Sequence, residues 1–516
     1  MARSQPELVL SELFISSFGT IPALKDIHRK PKKRFINEPP TGKESSMNLL
    51  GPVFKREPGE RQPGIPLGPF QLRLPFIHFR FEVADYIQGL IMCAVCLGII
   101  PVLTEYLGMP FEIALTIVML NGFLYLWHSH LGDPVVPGWI TPAIPLLLAW
   151  LKTYPEGVPR MHALIAFEFE LGVLSLLLGG TGLAKKFVDL VPDALKAGIL
   201  LGAGVAAVRL VFEAGGRFDH YPWTITISIG FAFFILFSNY FKTLRTKSKV
   251  LGYLSDLGLL PALVLAIFIA PIFRELPWPT IEWGFTVPHL VSLVTDWSPF
   301  SSRIGFPAFS LYVAAAPLVF ATYIVLFGEL IQAEALVDEA REFRHGDEDV
   351  HFDANRNNMI VGLRNITMSL IGPDASMCGP MWAAMQVVEC ERYKHGREAM
   401  DSLFGGMASF RLGTFTGYFL APIVTLVKPI LPIALSLTML IQGYVAVRVG
   451  ILKARTFNDL GVAGVVGAVL VSRGAAYAFG VGIVMCFLIY GRDFFRRWNI
   501  YDKAQDPVFN AKISAD

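Results

Sequence analysis

Long apolar runs alternate with short polar breaks from about residue 84 to about residue 491, and many of the runs reach the ~20 residues that span a bilayer. Their periodicity predicts helices over about 84–104, 111–129, 161–183, 192–213, 222–242 and 254–273. A Trp/Pro-rich loop follows over 274–304, with Trp278, Trp283 and Trp297 placed as interfacial anchors. Further helices are predicted over about 306–335, 357–371, 401–423, 429–450, 457–472 and 475–491. The run over 306–335 exceeds one membrane thickness, so its end protrudes or tilts.

Two apolar stretches break this pattern. Asp133 to Pro145 is rich in Pro and is followed by an apolar run that ends at Trp150, too short to span alone. Thr141 followed by Pro142 reads as a hydroxyl cap and a Pro at the first helical position, so an extended segment feeds a half-helix. Gly362 to Gln386 carries Arg364, Asp374 and two Gly-Pro pairs, a mixture that lipid-facing helix would not tolerate. Each break is the third segment of a set of seven. Seven plus seven forces the halves to run oppositely through the membrane, and matched interrupted segments in such an inverted repeat point to a binding site. The predicted fold is therefore an all-α polytopic membrane protein. It has 14 transmembrane segments in a 7+7 inverted repeat, with segments 3 and 10 broken into a short strand plus a half-helix. Residues 1–80 form a cytoplasmic arm, 81–275 the first repeat, 276–305 an extracytoplasmic loop, 306–495 the second repeat and 496–516 a cytoplasmic tail.

Composition agrees with that class. The chain of 516 residues is 53% hydrophobic and 17% charged, where a soluble protein carries roughly 25% charge. The net charge of +2 says little about partners, but the placement of Lys and Arg does. With the N-terminus inside, inner loops hold Lys185, Lys186, Arg245, Lys247, Arg341, Arg344, Arg392, Arg397, Arg455 and the Arg492–Arg497 cluster, and outer loops hold few basic residues. Both termini are then cytoplasmic. The first residues lack a signal-peptide run, so the first spanning helix is expected to act as the membrane signal. The basic run Arg29 to Arg34 is a positive-inside flank that can touch anionic membrane lipid. The five Cys lie in or beside apolar runs and read as packing thiols, Cys93 and Cys96 included. His345, His351 and His395 lack zinc-ligand spacing, and no P-loop or soluble-enzyme signature is present. An enzyme, a cofactor, a metal site and a nucleic-acid partner are not expected.

Several short runs resemble a superfamily comprising the nucleobase–ascorbate permeases, the sulfate permeases and the anion exchangers. Gln88 followed by Pro101 resembles a Gln-His…Pro pattern, with Gly89 in place of the His. Val191 to Gly198 resembles the opening of the fifth segment, and Asn358 to Gly372 the Asn…Gly…Gly run of the ninth. The resemblance implies a core domain from segments 1–4 and 8–11, a gate domain from segments 5–7 and 12–14, and a homodimer. Where nucleobase permeases carry a binding Glu in the tenth segment, this chain has Cys378, Gly379, Pro380 and Met381. No large regulatory domain of the sulfate-permease kind follows Tyr490.

The candidate site collects residues from both halves. Half-helix N-termini favour electron-rich ligands, and Thr141 and Ala143 on one side and Asp374, Ala375, Ser376 and Met377 on the other would present them. Thr141 and Asp374 could equally be simple helix caps, and an ionised Asp374 would repel an anion. Gln88, with Asp85 and Tyr86, could line the mouth from the first helix. The family places a substrate- or ion-binding acid in segment 8, which Glu329 matches, with Gln332 one turn on. Glu329 and Asp374 are the candidates for a coupling ion, H⁺ or Na⁺. Arg364, midway along its segment, needs a partner or a cavity; it could neutralise Glu329 or Asp374, bind an anion, or reach the cytoplasm. Arg411 and Arg209 raise the same question with weaker placement, and Glu168 and Glu170 read as structural or vestibule residues. The expectation is a secondary active transporter of a small anion or polar planar solute. The alternatives are a nucleobase proton symporter and a non-transporting membrane scaffold subunit.

Overall fold

The computed structural model describes residues 51–491, apart from 190, 246, 249, 250, 253, 255 and 256. The basic run Arg29 to Arg34 and the terminal Arg492, Arg496 and Arg497 lie outside the described residues. The first half holds α1 (Val83–Leu107), α2 (Phe111–His130), α3 (Ile144–Leu151), α4 (Val158–Thr181), α5 (Asp193–Phe212), α6 (Pro222–Phe237) and α7 (Leu260–Ile272). After a long loop come α8 (Phe309–Phe343), α9 (Ala354–Ile371), α10 (Ala383–Lys394), α11 (Leu403–Gly417), α12 (Ala421–Lys453), α13 (Phe457–Arg473) and α14 (Ala475–Tyr490).

Among the described residues, α1, α2, α4, α5, α8 and α12 are long and apolar enough to cross a membrane, and α6 with Asn239–Arg245, bent by 64°, would make a seventh. The other helices are shorter or more polar, so length and composition give six or seven crossings against the fourteen segments expected. Leu177, Val205, Phe268 and Leu488 are exposed on the outer faces of these helices, as side chains facing lipid would be. This is a multi-pass membrane protein.

Several boundaries differ from expectation for local reasons. α8 continues to Phe343 rather than ending near 335, and an ion pair from Arg341 to Asp338 at 3.4 Å supports its last turns. The break between α11 and α12 falls at 418–420 instead of near 424–428. Pro429 sits in the first turn of a short 3₁₀ element inside α12, where its missing N–H removes no helical bond. α10 starts at Ala383, well after Asp374.

The helices pack in two groups. α1 and α2 lie against α11, and α4 lies against α8 and α9; separately, α5 packs on α12 and α13, α13 on α14, and α6 on α7. Gly89 and Gly413 let α1 and α11 touch backbone to backbone. A Cβ on Gly89 would lie 2.0 Å from the Phe410 carbonyl oxygen, and one on Gly413 would lie 2.1 Å from that of Tyr86. The Gly at position 89 is thus required by this helix crossing.

The stretch 51–80, expected to be ordered only in part, is folded onto the rest of the chain. β1 (Ile65–Leu67) and β2 (Phe70–Leu72) form a hairpin in which Pro66 faces Gln71. The Gly59 N–H donates to the Asp347 carbonyl at 2.9 Å, and Asp349 N–H to the Glu60 carbonyl at 3.0 Å. Arg56 reaches the Asp401 carbonyl at 2.9 Å, and Arg61 pairs with Asp349 at 2.8 Å.

Candidate functional site

The two broken segments meet in the interior. Strand β3 (Gly138–Trp139) pairs antiparallel with β4 (Cys378–Gly379), Gly138 facing Gly379 and Trp139 facing Cys378. Only Gly fits at either facing position. A Cβ on Gly138 would come within 2.8 Å of the Met381 carbonyl oxygen, and one on Gly379 within 2.6 Å of the Trp139 carbonyl carbon. Beyond β3 a 3₁₀ turn over Thr141–Ala143 leads into α3, and beyond β4 the chain enters α10.

Arg364 lies behind this crossing with no exposed surface. It donates to His128 Nε2 at 2.9 Å, to the Gly379 carbonyl at 3.1 Å and to Asn121 Oδ1 at 3.1 Å. His128 must accept through Nε2, so its proton sits on Nδ1 and is given to Asp133 at 2.6 Å. Asn357 donates to the same Asp133 oxygen at 2.7 Å. Asn365 closes the β4 side, donating to the Cys378 carbonyl at 2.9 Å and accepting from its N–H at 2.8 Å. Gln386 accepts from the Val136 N–H at 2.7 Å, which ties α10 to the extended chain before β3. Arg364 is therefore a clamp that holds α2, α9 and β4 in one frame, and its direct partners are neither Glu329 nor Asp374.

The predicted site residues divide accordingly. Asp374 is buried and accepts from Asn121 at 2.7 Å and from the Ser376 hydroxyl on Oδ2, and from the Ser376 N–H at 2.9 Å on Oδ1. It braces the turn before β4. The expectation that Asp374, Ala375, Ser376 and Met377 present a half-helix N-terminus is corrected: they form a turn that precedes strand β4, and the helix begins only at Ala383. Met377 adopts a left-handed backbone with φ of 57°, a conformation few side chains hold without surrounding support. Thr141 begins its turn and does not cap it, and the Ala143 N–H is spent on the Ile140 carbonyl at 2.9 Å. Glu329 is on α8 with Oε2 enclosed and without a hydrogen-bond partner among the described residues. Gln332 is half-buried one turn further on, and Gln88 is half-buried on α1.

Other buried polar groups lie at the crossing, of which the sequence reading gave Glu168 another role and did not single out Asn121, Tyr125 or His128. Glu168, read as structural or vestibular, is buried and accepts the Asp374 N–H at 3.0 Å. Asn121, Tyr125 and His128 recur at helical spacing on the otherwise apolar α2, a pattern visible in the sequence. Arg364 and Arg411 both lie over the Tyr125 ring, at 4.6 Å and 4.1 Å from its centre. A narrow cleft, too tight for a water molecule, is lined by Cys96, Ile99, Asn121, Tyr125, Trp139, Asp374 and Tyr418 among others.

This fold and cleft define a polytopic membrane protein whose charged centre is sealed between two interrupted segments. No protein-family model matches the chain, and no curated protein matches it. The chain is similar to the solved transmembrane domain of a cyanobacterium bicarbonate transporter, BicA, at 16% identity and TM-score 0.46, over 78% of this chain and 96% of that one. It is also similar to SLC26A9 at 14% identity and TM-score 0.49, over 79% of this chain and 65% of that one. A third similar structure is the murine Slc26a9 anion transporter in the inward-facing state, at 15% identity and TM-score 0.44, over 80% and 68% of the two chains.

Proposed function

We propose that the chain is a secondary active transporter that carries a small anion across a cell membrane by alternating access, coupled to H⁺ or Na⁺. The observation that carries this reading is the pair of buried guanidiniums, Arg364 and Arg411, beside the cleft at the crossing of β3 and β4. Charge at that depth is costly unless it serves a pathway, and two cations at one aromatic ring favour a negative ligand.

The helix pairings support a 7+7 inverted repeat of fourteen segments. α1 on α11 and α8 on α4 are one pairing with the halves exchanged; α2 on α11 and α9 on α4 are another; β3 on β4 exchanges with itself. In this reading α1–α4 with α8–α11 form the core that holds the ligand, and α5–α7 with α12–α14 form the gate and the homodimer contact. Both termini are cytoplasmic. The core shifts against the gate and carries the cleft from one side to the other. Glu329, with one enclosed oxygen lacking a partner, is the group for the coupled ion.

Reconstitution of the full chain in proteoliposomes tests this. Saturable, gradient-driven uptake of at least one of nitrate, formate, chloride or sulfate is expected, and absence of saturable uptake for all four overturns the proposal. Glu329→Gln should abolish acceleration of uptake by an imposed proton gradient while the protein stays monodisperse. Undiminished acceleration removes Glu329 from the coupling step.

A further inference from the structure

If the chain moves an anion, the two buried guanidiniums are the charges suited to face it, and Arg364 is already committed: two of its three nitrogens are bonded within the frame. Arg411, on α11, is different. It is 1% exposed, and none of its three nitrogens has an oxygen or nitrogen partner among the described residues; the buried Cys96 thiol is the polar group beside it. It is held by flat faces instead, with its guanidinium 4.1 Å from the centre of the Tyr125 ring, 5.2 Å from that of Trp382 and 5.6 Å from that of Phe410. Such contacts steady the cation while leaving its in-plane N–H donors unused. The Tyr418 hydroxyl, also buried and also without an oxygen or nitrogen partner among the described residues, lines the cleft against the same Cys96 thiol. Leaving buried donors unbonded is destabilising, and a charged one more so. The acids of the crossing do not relieve Arg411. Asp374 is bonded by Asn121 and Ser376, and Glu168 receives the Asp374 N–H.

We infer that Arg411, assisted by Tyr418, is the residue that recognises the charge of the transported anion, and that the ligand class is a small planar oxyanion of the carboxylate or nitrate type. The guanidinium fork presents parallel N–H donors in a plane, which match two oxygens of a planar anion and match a spherical halide poorly. The cleft is too tight for a water molecule, so its lining side chains must part on binding. This inference rests on the anion-transport reading of the same cleft.

Thermal unfolding of the purified full chain in detergent, with nitrate, formate, chloride or sulfate added at equal ionic strength, reads the site directly. Nitrate and formate should raise the Tm of the native protein more than chloride or sulfate do. Arg411→Met should unfold at the same or a higher temperature than the native protein without added anion, since it removes an unbonded buried charge, and should lose the nitrate response. Arg411→Lys should keep a response about tenfold to a hundredfold weaker, because the charge stays and the fork is lost. Tyr418→Phe should weaken it further than the loss of an exposed hydroxyl would. A full nitrate response in Arg411→Met, a lowered Tm for that variant without anion, or no response to nitrate or formate in the native protein overturns the inference. The two proposals separate cleanly. Nitrate stabilisation through Arg411 without flux in proteoliposomes upholds the site and refutes transport. Flux of undiminished affinity in Arg411→Met upholds transport and refutes the site.

Discussion

Arg364 and Arg411 show how little a residue's type says about its task. Both are buried Arg side chains over the same tyrosine ring, yet Arg364 gives both terminal nitrogens to hydrogen-bond partners and Arg411 gives none of its nitrogens to an oxygen or nitrogen among the described residues. Arg364→Gln should therefore act on the fold: His128 and Asn121 lose a charged donor, and a fall in stability of about 3 kcal/mol or more is expected. Thermal unfolding in detergent checks this, and a Tm unchanged from the native protein would remove the clamp role. The sequence drew attention to Arg364 because an arginine in an apolar run must be accommodated. It did not show the accommodation, because the partners lie 236 and 243 positions away along the chain. His128 and Asn121 were legible only as polar residues on one face of a helix.

At the scale of elements, the crossing of β3 and β4 is the feature on which the site depends. Interrupted apolar runs with Gly-Pro pairs revealed that both segments are broken. A strand followed by a half-helix was expected in the second segment, but the place of Asp374 in a turn ahead of the strand was not legible, because a turn braced by Asp374 and a helix capped by it use the same residue types. Gly379→Val should push its side chain into the Trp139 backbone, at a cost of about 1–3 kcal/mol or more, and disperse the monodisperse peak in size-exclusion chromatography. Gly464→Ala is the matched control, since a Cβ there meets nothing within 4 Å. Equal behaviour of the two variants would show that the strand pairing does not need its close approach.

At the scale of the whole molecule, the stretch 51–80 is tied to the 338–353 and 395–402 regions by charge. Burial pushes the Asp347 carboxyl up, but hydrogen bonds from Arg344 and Arg397 and the nearby Arg56 charge outweigh it and hold the group below its ordinary value. The bond from Arg61 does the same for Asp349. A carboxylate whose pKa is lower when docked than when free stabilises the docked state above the free value and loses that effect as pH falls through the lowered one. Amide protection over 51–80 should therefore hold at neutral pH and fall away as pH drops below about 4. Asp347→Asn should produce the same loss at neutral pH. Protection that ignores both changes would assign the docking to the β1–β2 hairpin and its backbone bonds alone.

The sequence by itself determined that the chain is a polytopic membrane protein, where its long helices lie, and that two apolar stretches are interrupted by Gly, Pro and polar residues. These follow from hydropathy and backbone satisfaction, which act locally and leave a periodic trace. Only the tertiary structure decided which buried charges are bonded and which are not. It enclosed Glu168 beside Asp374, paired Arg364 with α2, required Gly at position 89 and left Arg411 against aromatic faces. Those outcomes depend on which distant segments touch, and a contact between residues hundreds of positions apart leaves no pattern in the residues that flank either one.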